Sequence, residues 1–139
     1  MKKKTPNKDI FHLIIPLLTG IMIYLLYRGI PFLKVERLFA VQLNKNFLFY
    51  FMLYNLPDAL WFYSLLITLK IIWNKQLFSK GKYWLYAVII AVFFSEFAQK
   101  IKIIPGTFDV LDIVAYVIAY SVFIFRIHKN SLNYKINLT

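Results

Sequence analysis

Two pairs of polar side chains spaced three apart are the residues in this sequence best placed to do chemistry: Glu96 with Gln99, and Asp109 with Asp112. On a helix that spacing puts both members of a pair on one face. Asp58, just after Pro57, is a third acidic position at a helix start. Carboxylates gathered this way can serve as general acid and base or offer oxygen ligands to a hard divalent cation. They can also orient the amine and other polar groups of a ligand. No His-Glu-x-x-His or comparable metal motif is present, so no metal site is assigned and no cofactor is called for. The chain has no cysteine, which removes thiol catalysis, thiolate metal sites and disulfides.

Each acid also has a plain structural role. Asp109 and Asp112 fit the N-cap and third position of a helix, Asp58 favours a helix dipole from the first turn, and Glu96 could pair with Lys100 four residues on. Capping does not explain why Ser95, Glu96 and Gln99 end an otherwise apolar helix. Taken together, the acids predict a polar, outward-facing pocket.

The elements that must carry these residues are apolar runs. Hydrophobic residues make up 60% of the 139-residue chain, against about 45–50% in a soluble domain. The charges fall in short patches between the runs, the pattern of membrane spans. The sequence therefore predicts an all-α fold. It is a single membrane domain over residues 1–139, an integral bundle of four transmembrane helices at about 10–27, 56–73, 83–98 and 109–127. The first follows a basic segment, Met1 to Lys8, and lacks a small-residue cleavage site, so it reads as a retained helix rather than a signal peptide. Within it, Pro16 and Gly20 suit a kink or close helix packing, and His12 falls near one membrane edge.

Before the second span, a segment at about 31–54 reads as a short amphipathic or re-entrant element at the outer surface, carrying Lys34, Glu36, Arg37 and Lys45. The apolar run from Phe47 to Trp73 is 27 residues long and breaks at Asn55-Leu56-Pro57-Asp58. Proline there is comfortable only in a first helical turn. Asn55 is the expected N-cap of the second span. Pro105-Gly106 marks a turn before the fourth.

The net charge of +11 invites a nucleic-acid reading. The basic residues flank the spans instead, as the positive-inside rule requires, and nucleic acid is not an expected partner. Placing the N-terminus in the cytoplasm gives that side ten Lys and Arg and the outer side six, with Lys70 inside the second span. Both termini are therefore expected in the cytoplasm. Asp9 alone then lies inside, and the other five acids lie at the outer helix ends.

The run Phe94-Ser95-Glu96-Phe97-Ala98-Gln99, then Pro105-Gly106-Thr107-Phe108-Asp109-Val110-Leu111-Asp112, resembles the VanZ-like membrane proteins. In that family a Ser-Glu-x-x-Gln helix end precedes a Gly-x-x-Asp-x-x-Asp helix start. The likeness covers about the last 45 residues, with Leu56-Pro57-Asp58 and Arg37 matching loosely. Tyr116 stands where the family carries Asn, and Ala119-Tyr120 where a Gly follows, so one pocket amide and one close helix contact are missing from the pattern. The resemblance implies a multi-pass protein of the bacterial cytoplasmic membrane that acts in the cell envelope.

Three main readings compete. In the first, an outer pocket of Glu96, Gln99, Asp109, Asp112, Asp58 and Arg37 binds or handles an amphiphilic envelope component, a membrane lipid or a lipid-linked precursor. In the second, the same carboxylates perform acid-base or metal-assisted chemistry. In the third, the chain is a small structural subunit of a larger membrane complex, or forms a homo-oligomer. A transporter is disfavoured because no inverted repeat is evident.

Overall fold

The computed structural model describes residues 7–28, 47–105 and 108–136. Arg37 and residues 31–46 of the expected amphipathic segment lie outside them. Within the described residues every regular element is helical: α1 (Asn7–Ile23), α2 (Phe47–Tyr54), α3 (Leu56–Trp73), α4 (Lys82–Lys100) and α5 (Val110–Ile136). α1 runs on into a π-helical turn, Tyr24–Arg28, and α3 into a 3-10 turn, Asn74–Gln76. Among the described residues three segments are long and apolar enough to cross a membrane, Lys8–Tyr27, Leu56–Gln76 and Val110–Lys129, and α4, the third of the four spans expected from the sequence, is not one of them.

α3 is the centre of the bundle, packed most closely against α1 and α5 and also touching α2 and α4. Its sequence explains this. Ala59, Phe62, Tyr63, Leu66, Ile67 and Lys70 recur at helical spacing and are buried. Facing them, α5 presents Ala115, Ala119 and Phe123, a stripe repeating every four residues whose two alanines let the backbones approach. α1 makes its close approach at Gly20, where a methyl group would stand 2.6 Å from Trp61 Nε1 and 3.2 Å from the Pro57 carbonyl. Ile14, Ile15, Leu18, Met22, Ile90, Phe94, Ile118 and Phe125, on the outside of α1, α4 and α5, are exposed. In water such a surface would drive aggregation, whereas in lipid it is the solvated face.

α2 and α3 are separated by Asn55 alone. Helical hydrogen bonding steps across it, Asn55 N–H to Phe51 O at 3.0 Å and Ala59 N–H to Asn55 O at 3.1 Å. The break is thus a hinge of one residue, Asn55, between two helices rather than a loop, with Pro57 in the first turn of α3 where its missing N–H costs least.

α4 stops in a Schellman turn. Ile103 N–H reaches Ala98 O, Lys102 N–H reaches Gln99 O, and Lys102 takes the left-handed conformation at φ 59. The chain therefore turns at Lys102, ahead of Pro105.

The direction of each helix follows from its contacts. Asn55 and Asp112 meet in the first turns of α3 and α5, and Lys70 and Arg126, late in the same two helices, meet on Asp9. α3 and α5 are therefore parallel. α1 begins at the Lys70 level and ends with Tyr24 stacked on Trp61 at 5.2 Å, so it runs antiparallel to them. α4 leaves the far end of α3 and returns to bring Glu96 beside Tyr116.

Candidate functional site

A cavity of about 390 Å³ opens where the first turns of α3 and α5 meet the last turns of α4. α3 and the hinge supply Asp58 and Asn55, α4 supplies Ser95, Glu96 and Gln99, and α5 supplies Asp109, Asp112 and Tyr116. Tyr24 closes it from the end of α1, and Tyr50 and Tyr54, stacked on each other at 4.7 Å, close it from α2. Five residues singled out from the sequence, Glu96, Gln99, Asp109, Asp112 and Asp58, thus share one wall. Arg37, the sixth, lies outside the described residues.

Glu96 is 4% exposed and faces Tyr116, whose hydroxyl donates to its Oε1 at 3.3 Å. The ion pair with Lys100 suggested by their spacing is not what forms. Lys100 instead places its ammonium 5.2 Å from the centre of the Phe108 ring. Asp109 does cap α5, its Oδ1 accepting the Leu111 N–H at 2.9 Å.

Asn55 departs from its expected role. It occupies the N-cap position of α3 but caps nothing with its side chain. Its Nδ2 donates to Asp112 Oδ1 at 2.7 Å and approaches Asp109 Oδ2 at 3.5 Å. A local cap would satisfy one amide of α3, whereas this contact ties two helices together at the cavity floor. Its other amide atom, Oδ1, and Glu96 Oε2 are buried without a hydrogen-bond partner among the described residues. No three of the described His, Asp and Glu side chains are placed to hold a metal ion.

Asn55, Tyr116 and the tyrosines of α1 and α2 were not among the site residues expected from the sequence. A polar Asn two residues before a Pro is an ordinary helix start, and tyrosines near a span end are an ordinary aromatic belt. Only the fold brings them to the acids.

At the opposite end of the bundle a second polar layer forms. Asp9 Oδ1 accepts from both Lys70 Nζ at 2.6 Å and Arg126 Nη2 at 3.0 Å, linking α1, α3 and α5 through one oxygen atom. The His12 ring lies one turn further, with Nδ1 3.5 Å from the Tyr63 hydroxyl. Asn55 and Lys70 are fifteen residues apart on α3, which at 1.5 Å per residue separates the two layers by roughly 22 Å. A hydrocarbon core of about 30 Å would place them near its two edges.

Comparison with protein-family models, curated proteins and solved structures returns no match to this chain.

Proposed function

We propose that the chain is a four-span protein of the bacterial cytoplasmic membrane, similar to the VanZ-like proteins, whose cavity binds the polar head of an amphiphilic envelope component. The observation that carries this reading is the gathering of Asp58, Glu96, Asp109 and Asp112 around one cavity at one end of an otherwise lipid-facing bundle. Carboxylates at membrane depth are costly, and a fold that assembles four of them needs a reason beyond capping. A membrane lipid or lipid-linked precursor can keep its tails against the apolar flank of α4 and α5 while its head enters the cavity.

Parallel packing of α3 and α5 supports a fourth crossing. If both span in the same direction, the chain between them must return, and α4 is the helix that makes the return. The count of basic residues then puts both termini in the cytoplasm and the cavity on the outer face. The resemblance gains one further support: the amide missing at Tyr116 has a counterpart in Asn55, which brings a carboxamide to the same acids from another helix.

Native mass spectrometry of the full chain, extracted in mild detergent, tests the binding reading. Wild type should carry an amphiphile that the double variant Glu96→Gln, Asp112→Asn loses. Identical lipid patterns on both would remove it and leave the structural-subunit reading ahead. A reporter active only outside the cytoplasm should be silent after Thr139 and active after Lys102; the reverse would turn the cavity inward.

A further inference from the structure

We infer that the head group carries a primary ammonium, seated where the spare oxygens of Glu96 and Asn55 demand donors; this rests on the amphiphile-binding reading above. Both side chains line the same cavity, and they are 4% and 1% exposed. Glu96 spends Oε1 on the Tyr116 hydroxyl and keeps Oε2 without a donor among the described residues. Asn55 spends its Nδ2 on Asp112, which also fixes the orientation of the amide, since reversing it would set an oxygen against a carboxylate. Its Oδ1 is then the second acceptor left without a donor. Buried acceptors in this state keep their desolvation cost uncompensated, and a ligand that supplies N–H groups relieves it.

Ligand chemistries differ in what they bring. A phosphate or carboxylate brings more acceptors and negative charge, which Glu96, Asp58, Asp109 and Asp112 repel. A quaternary ammonium brings positive charge but no N–H. A sugar hydroxyl brings a donor without charge. A primary ammonium brings three N–H donors and a positive charge together, matching both the spare oxygens and the acids. Tyr24, Tyr50, Tyr54 and Tyr116 in the same wall add aromatic surface of the kind that cations favour. A bare metal ion fits less well, because no three described acidic or histidine side chains are placed to ligate one.

The test uses the purified full chain in mild detergent, titrated calorimetrically with short-chain phosphatidylethanolamine, phosphatidylcholine and phosphatidylglycerol, and separately with free ethanolamine. Phosphatidylethanolamine should bind about tenfold or more tightly than the other two lipids, and Glu96→Gln should erase that preference. Equal binding of all three lipids would overturn the ammonium and leave the amphiphile reading standing, as would a preference that survives in Glu96→Gln. Free ethanolamine binding as tightly as the lipid would uphold the ammonium and overturn the amphiphile. Binding of none of the four would overturn both. Selectivity of the wild-type chain decides the matter even if the variant fails to fold.

Discussion

Asn55 donates its side-chain amide to Asp112 across 2.7 Å, joining the first turns of α3 and α5 over 57 residues of chain. This bond links the two parallel helices at the cavity. Asn55→Leu removes the donor from an Asp112 that has been positioned to receive it, and should cost about 1–3 kcal/mol. Thermal unfolding in detergent measures the loss. An unchanged midpoint would mean that the bond contributes nothing to holding α3 on α5.

Asp109 and Asp112 should separate cleanly under substitution. Asp109→Asn keeps an oxygen for the Leu111 N–H and gives up only the long 3.5 Å approach of Asn55, so it should change stability by less than about 0.5 kcal/mol, because Asn caps as well as Asp. Asp112→Ala leaves the Asn55 amide without its acceptor at 2.7 Å and should cost about 1–3 kcal/mol. Membrane abundance and unfolding temperature of the two variants, side by side, check the contrast; equal losses would contradict it.

Asp9 holds Lys70 and Arg126 through a single oxygen, and the three side chains are 24%, 10% and 17% exposed. Asp9→Asn leaves two cations facing each other. The expected cost is about 1–3 kcal/mol, less than for a fully buried pair because none of the three is fully enclosed. Adding Lys70→Met to Asp9→Asn should recover part of it by removing one of those cations. A double variant no more stable than the single one would show that repulsion between Lys70 and Arg126 is not the cause.

Gly20→Ala probes the α1–α3 contact. The new methyl would lie 2.6 Å from Trp61 Nε1 and 2.8 Å from its Cδ1, so either the indole moves or α1 lifts off. Overpacking of this kind costs about 1–3 kcal/mol. Trp61→Leu in the same chain should relieve most of it. Failure of that rescue would trace the strain to the Pro57 carbonyl at 3.2 Å instead.

What could be read in the sequence was what depends on a residue and its near neighbours. The apolar runs announce helices, Pro57 marks the division between α2 and α3, and the three-residue spacings place acids on common faces. What could not be read was pairing across helices. Asn55, two residues before Pro57, looks like a cap, and nothing local distinguishes it from an amide reaching Asp112. Glu96 looks toward Lys100 by spacing, yet the Schellman turn at Lys102 ends the helix and Tyr116 offers a hydroxyl from α5. Lys70 looks like a stray cation inside a span until α1 brings Asp9 alongside. Such contacts depend on helix register, which is set by details as small as the missing side chain of Gly20.

The Asp9 junction also bears on how the protein is made. Asp9 is synthesised 61 residues ahead of Lys70 and 117 ahead of Arg126. A newly inserted α1 therefore waits without either of these two partners, its acid in the first turn where the helix dipole favours it. Arrival of α3 gives Asp9 one counter-charge, and the contact closes only when α5 delivers the second. A chain arrested before α5 shows its Lys70–Asp9 pair and the bare α3 stripe to the bilayer. Completion of this junction therefore marks the stage at which α1, α3 and α5 are all in place.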